Sequence, residues 1–180
     1  MGIWEKQYIS NSDISKIFAQ IADFFIDYGA NIHFFSFTEN MHDSDTKGAQ
    51  TVIRNMRNKR NYSIIPFKND VDFTCSLLGK FDYLVSQRLH ACILSWLQSV
   101  PNIGFDYQFL KTMDFMSSIG MKDYCVRTDQ FTLDNYVDKY EQMMKSRNDI
   151  IVNSQQRMNT FKSVQQEFVN HSLDLMRGGE

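Results

Sequence analysis

Residues 82–111 read DYLVSQRLHACILSWLQSVPNIGFDYQFLK, and the reading of this stretch decides the fold. Asp82–Ser86 is a short apolar strand, turned at Gln87. Arg88–Gln98 carries Leu89, Ile93, Leu94, Trp96 and Leu97 at helical spacing, which predicts a helix with one apolar face. Val100–Phe105, with Pro101 at its opening, is a second strand, and a loop and helix start lead on to Lys111. Strand, helix, strand is the βαβ unit from which parallel sheets covered by helices are built. Ligands of such sheets collect outside the carboxyl ends of the strands. Arg88 and His90 fall at that end, in the predicted first turn of the helix. Unpaired backbone N–H groups and the positive end of the helix dipole favour an anion there. The Arg and the His added there therefore mark a candidate phosphate or carboxylate pocket.

Working towards the N-terminus, the same alternation repeats. Gly2–Glu5 is a first short strand. The cluster Asn11-Ser12-Asp13 starts a helix whose stripe runs Ile14, Ile17, Phe18, Ile21, Phe24, Phe25 and Tyr28, and Gly29 ends it. Asn31–Phe37 is a buried strand, Thr38–Asp45 a polar loop at its carboxyl end, and Lys47–Arg57 a helix. Tyr62–Pro66 is a strand and Val71–Leu78 a helix closed by Gly79. Beyond the central unit, Phe109–Ile119 is a helix ended by Gly120, and Tyr124–Val126 a last strand. The order β-α-β-α-β-α-β-α-β-α-β predicts an α/β fold with a doubly wound, mostly parallel sheet, a Rossmann-like lobe over residues 1–130. From Leu133 the stripe Leu133, Tyr136, Val137, Tyr140, Met143 and Met144 begins a helical segment, residues 131–180, packed on the same lobe. Ile150, Ile151, Met158, Phe161, Val164, Phe168, Leu173 and Leu175 continue it in one or two further helices.

Composition narrows the function classes. A net charge of −2 argues against a nucleic-acid binder, which shows a basic face. No apolar run approaches the roughly 20 residues that span a bilayer. The start MGIWEKQYIS has no signal-peptide pattern, and Lys6 stands where a myristoylation motif wants Ser or Thr. Cys75, Cys92 and Cys125 lie in apolar surroundings without CxxC spacing, so they read as reduced core thiols of a cytoplasmic protein.

The ordered set Phe81–Ser86, Arg88-Leu89-His90-Ala91, Val100–Gly104, Phe105-Asp106 and Lys111, with Phe115 and Ile119-Gly120-Met121 downstream, resembles the polysaccharide pyruvyl transferase family. That family carries a strand, an R-L-H motif, a helix, a small apolar strand, an aromatic–acidic step and a Lys. The resemblance covers most of the chain up to Val126 and is specific over Asp82–Gly120. It implies a two-lobed arrangement like that of GT-B glycosyltransferases, of which this chain matches the C-terminal, donor-binding lobe, with an N-terminal lobe lying outside it. The family places an Arg near the end of this lobe's first strand. Here Lys6 is the nearest cation, and the segment before Lys111 is longer than the family's pattern.

The activity that the resemblance implies is transfer of the enolpyruvyl group of phosphoenolpyruvate to sugar hydroxyls, closing a pyruvate ketal in surface polysaccharide biosynthesis. The expected partners are phosphoenolpyruvate and a saccharide or lipid-linked saccharide acceptor, the latter bringing peripheral membrane association. No cofactor and no metal is implied. Arg88 is expected to clamp the donor's anionic groups with a planar guanidinium. His90 is expected to be the general acid or a phosphate ligand. Lys111 is a second phosphate contact, and the backbone amides around Leu89 and His90 complete the cradle.

Other residues read more plainly. His33 is a buried, hydrogen-bonded side chain. His42, Asp43 and Asp45 form a solvated acidic loop rather than a metal site, with Glu39 and Asp45 facing the acceptor if that loop borders the cleft. Asp106 caps the following helix in preference to orienting Lys111, and Arg54, Arg57, Lys59 and Arg60 complement a helix end. Two rival readings share the fold. One is a GT-B lobe taking a nucleotide sugar, with Asp123 or Asp129 offered to the ribose. The other is a non-catalytic interaction module docking through the Leu133–Leu175 helices.

Overall fold

A computed structural model of the chain describes residues 8–41 and 43–177. Seven helices and five strands alternate: α1 Asn11–Asp27, β1 Ile32–Phe35, α2 Asp45–Asn55, β2 Tyr62–Ile65, α3 Val71–Leu78, β3 Leu84–Ser86, α4 Leu89–Leu97, β4 Asn102–Asp106, α5 Lys111–Ser118, β5 Cys125–Arg127, α6 Leu133–Lys145 and α7 Arg147–Arg177. The expected strand Gly2–Glu5, Lys6 and His42 lie outside the described residues. No helix among the described residues is long and apolar enough to cross a membrane.

The fold is the expected α/β class, with parallel sheets between helical layers. β1 pairs with β2 in one sheet and β3, β4 and β5 form the other, every pairing parallel. Residues of β4 face alternate layers, as a strand's period of two requires. Ile103 and Phe105 pack with Ile17, Ile21 and Phe25 of α1, Val126 of β5, and Tyr136 and Met143 of α6. Gly104 faces the other way, towards Cys92 of α4 and Thr112 and Met116 of α5. That second layer holds Trp96, Met116, Ile119 and Cys125, with Ile150 and Met158 of α7 against them. α2 lies with α1, through Val52 and Met56 on Ala19, Ala22 and Ile26.

Local chemistry sets the helix ends. Ser10, Ser44, Asp70 and Thr132 each accept from a backbone N–H three residues on, the N-cap bond that replaces a missing helical acceptor. Ser44 starts α2 at Asp45, two residues before the spacing predicted. The predicted helix from Phe109 instead starts at Lys111. Phe109 and Leu110 both hold left-handed backbone, with φ of 57° and 55°, which breaks the helical run. The C-terminal stripe belongs to a 13-residue α6 and a single 31-residue α7. Only part of α7 is packed. Phe161 meets Trp96 with ring centroids 6.0 Å apart, while Val164, Phe168 and Leu175 stay exposed.

Candidate functional site at the carboxyl end of β3

Ser86 ends β3 and its Oγ accepts from the Arg88 N–H at 2.9 Å, folding the chain sharply into α4. Arg88 is thus the residue flanking the helix, not part of its first turn, and no side chain caps α4. Leu89 is half-buried and begins α4. His90 follows in the first turn and is exposed. Lys111 begins α5, past the end of the neighbouring strand β4, and is exposed; no side chain caps α5 either. The structure therefore brings Arg88, Leu89 and His90 together on one turn and sets Lys111 at the next strand's carboxyl end.

The sequence reading missed what holds Arg88. Its Nη2 donates to both oxygens of Asp43, at 2.7 and 2.8 Å, and to Asp45 Oδ1 at 2.6 Å. Its Nε donates to the same Asp45 oxygen at 3.1 Å. Desolvation opposes the charge on this half-buried side chain. The hydrogen bonds to Asp43 and Asp45 outweigh it and raise the guanidinium above its ordinary range.

The two carboxylates differ in their own anchoring. Asp45 Oδ2 accepts from the backbone N–H of Phe37 at 2.8 Å and of Thr38 at 3.1 Å, and its side chain is 19% exposed. Asp43 is 51% exposed, and its own N–H donates to Asn40 Oδ1 at 2.9 Å. The loop is exposed at Glu39, Asn40, Met41 and Asp43, as expected, but Asp43 and Asp45 are tied to Arg88 and not left to solvent alone. Asp45 opens α2, and residues on either side of position 42 fold back through Asn40 N–H to Asp43 O, Asp45 N–H to Thr38 O and a bridge between Glu39 and Ser44. Hydrogen bonds from Ser44 and Thr46 hold the Glu39 carboxyl below its ordinary range. Of the two carboxylates the sequence reading offered to the cleft, Asp45 lines it and Glu39 does not.

Three further expectations change. Asp106 does not cap α5: it ends β4 beside Arg127 of β5, only 1% exposed, and among the described residues neither carboxylate oxygen meets a partner in full hydrogen-bond geometry. Desolvation pushes this carboxyl up from its ordinary value. His33 is exposed rather than buried, because β1 lies beside an open cleft. It is hydrogen-bonded as expected, with Nδ1 2.7 Å from Ser63 Oγ, and stacks on Phe81. Asp129, offered to a ribose, is held by Arg127 at 2.7 and 3.0 Å. Arg54 falls in the last turn of α2, as expected of that basic cluster, and beyond it Asp23, 3% exposed, accepts from the N–H groups of Arg57 and Asn58 while the Arg57 guanidinium reaches Asp27 at the end of α1. Cys92 and Cys125 are buried free thiols, with burial pushing both up to about 12.

Next to this turn lies a cleft of about 1200 Å3, bounded by β1 and its flanks on one side and by residues 80–88 on the other. α1 crosses it with Phe18 and Phe25, and Ala91 of α4 borders it. A family model described as polysaccharide pyruvyl transferase matches residues 2–108, more than half of the chain. The match includes Arg88, Leu89 and His90 and ends before Lys111. No curated protein and no solved structure matches.

Proposed function

This chain belongs to the polysaccharide pyruvyl transferase family, and from that premise we propose that it supplies the donor-binding lobe of a transferase that moves the enolpyruvyl group of phosphoenolpyruvate onto a saccharide. One observation carries the reading. Arg88 and His90 stand on a single turn at the carboxyl end of β3, against a helix start that no side chain caps. The free N–H groups of α4 and a guanidinium suit a donor bearing a phosphate and a carboxylate.

Two carboxylates already face the one guanidinium, so a donor bearing both a phosphate and a carboxylate is repelled until one of them yields. Asp43 is the one that exchanges. It is the more exposed, and its carboxylate is held by Arg88 alone among the described residues. Asp45 stays, tied to two backbone N–H groups, and aims the guanidinium.

In the reaction, a proton from His90 adds to the methylene carbon of the donor, and positive charge develops at C2. A sugar hydroxyl adds there, a second hydroxyl displaces phosphate, and the ketal closes. The two hydroxyl protons balance the new methyl hydrogen and the released phosphate. An imidazole can give up and recover a proton within one reaction cycle, which suits such a transfer. Lys111 supplies a further positive charge from the end of β4, and the acceptor saccharide enters from the side that an N-terminal lobe would cover.

Calorimetric titration tests the donor. Saturable binding of phosphoenolpyruvate, with none for UDP- or GDP-sugars, is expected. Preference for a nucleotide sugar would overturn the reading.

A further inference from the structure

β4 runs on past the point where β3 turns away. Ser86, the last residue of β3, pairs with Gly104, and β4 continues for two more residues to Asp106, opposite Arg127 of β5. Two extended residues rise about 7 Å, and neighbouring strands lie about 5 Å apart. Asp106 therefore flanks the turn from β3 into α4, the turn that carries Arg88 and His90. Side chains two apart on a strand share a face. Gly104 faces Cys92 of α4 and Thr112 and Met116 of α5. Asp106 lies on that same face, beside the starts of two helices that no side chain caps.

The surroundings leave this carboxylate unbalanced. Asp106 is closed from water, and among the described residues neither of its oxygens meets a partner in full hydrogen-bond geometry. Oε1 of Gln108, two residues on and also buried, is unpaired as well. Buried acceptors without donors are costly, and an ionised one is the costliest. The neighbouring charges do not offset this. Arg127, the cation on the paired position of β5, is committed to Asp129 at 2.7 and 3.0 Å. Asp129 itself and Asp114 of α5 add negative charge, Lys111 opens α5, and the thiol of Cys125 lies on β5. Burial above all raises the Asp106 carboxyl, and the Gln108 N–H and Arg127 oppose it only in part.

We infer that Asp106 takes up a proton when an anionic donor settles on the Arg88–His90 turn, and that the resulting carboxyl group donates a hydrogen bond to that donor. A negative charge arriving beside a carboxylate favours its neutral form. A neutral carboxyl donates as well as accepts, so the group changes from repelling the donor to holding it. The proton comes from solvent and returns to it when the product leaves; only the O–H bond forms and breaks. The inference rests on the donor reading and deepens it. Asp43 clears the guanidinium by exchange, whereas Asp106 clears the other flank of the turn by protonation.

Calorimetric titration of phosphoenolpyruvate over a range of pH tests it. Linkage makes the affinity of the unaltered chain rise as pH falls. Asp106→Asn is neutral at every pH and its amide donates as the protonated carboxyl does, so it is expected to lose that part of the rise. From pH 7.5 to 5.5 the unaltered chain is expected to gain about threefold or more in affinity relative to the variant, which binds the tighter of the two at pH 7.5. Protons taken up by the donor's own phosphate are common to both chains and cancel. The carbon-13 resonance of the Asp106 carboxyl reads the same event without a variant: its midpoint in the unaltered chain is expected to move up by about half a pH unit or more with phosphoenolpyruvate bound. Equal pH slopes in the two chains, or a midpoint that stays in place, would overturn this inference and leave the donor reading standing. No binding of phosphoenolpyruvate by the unaltered chain would overturn both.

Discussion

Asp45 grips Arg88 with one oxygen and the backbone of Phe37 and Thr38 with the other, so the end of β1 sets the direction of a guanidinium at the end of β3. Asp43 shares the guanidinium without that anchoring. The two positions are therefore expected to respond in opposite directions. Asp43→Asn should tighten phosphoenolpyruvate binding by about two- to fivefold, the worth of an exposed ion pair of about 0.5–1 kcal/mol. Asp45→Asn should weaken it by tenfold or more, since hydrogen bonds to a charged group contribute about 1.5–3 kcal/mol. Calorimetric affinities of the two variants check this, and weakening in both would remove Asp43 from the role of exchanging ligand.

Arg88→Ala is expected to abolish donor binding while leaving the far-ultraviolet circular dichroism spectrum unchanged, because the side chain lies outside the apolar clusters. Arg88→Lys should recover little, since a point charge cannot reproduce the planar fork that meets two carboxylates at once. His90→Gln separates the two roles left open for the imidazole. A proton donor predicts a loss in kcat with the donor dissociation constant nearly unchanged. A phosphate ligand predicts equal losses in both.

Much of this arrangement was legible in the residues. The order of strands and helices followed from short apolar runs alternating with helical stripes and punctuated by Gly29, Gly79 and Gly120. The position of Arg88 and His90 at the carboxyl end of β3 was legible because a βαβ unit tells which end of a strand leads into the following helix. The partners of Arg88 were not found, because 43 residues separate Asp45 from it and only the completed fold brings the ends of β1 and β3 together. The polar run from Thr38 to Asp45 looked solvated for the same reason. Left-handed backbone at Phe109 and Leu110 carried no glycine or asparagine signal. The unpaired carboxylate of Asp106 was also invisible, since burial depends on β5 and α5 closing around β4.

Asp106 gives the stability a pH dependence of definite sign. Desolvation raises its carboxyl in the folded state, so the folded chain binds a proton more readily there than the unfolded chain does. Its contribution is fully present below the unfolded value of about 3.9 and is lost as pH rises through the folded value. Asp106→Asn removes this titration. The variant is expected to be more stable than the parent at neutral pH, with the advantage shrinking as pH falls towards 4. Urea midpoints across that range check it; an advantage independent of pH would point to packing instead of charge.

Gly104 sits at the closest approach of β4 to α5. A Cβ there would stand 2.6 Å from Thr112 Cγ2, with Cys92 Sγ and Met116 Cγ at 3.5 Å behind it. Thr112 is 2% exposed and β-branched at the start of α5, so it has little room to turn away. Gly104→Ala should therefore cost about 1–3 kcal/mol, the usual penalty of overpacking. The clash is with a single methyl group, so Thr112→Ser in the same chain should return most of the loss. Denaturant midpoints of the single and double variants decide between this contact and a general intolerance of side chains on β4: a double variant no better than Gly104→Ala would mean that the strand, not the methyl group, sets the limit.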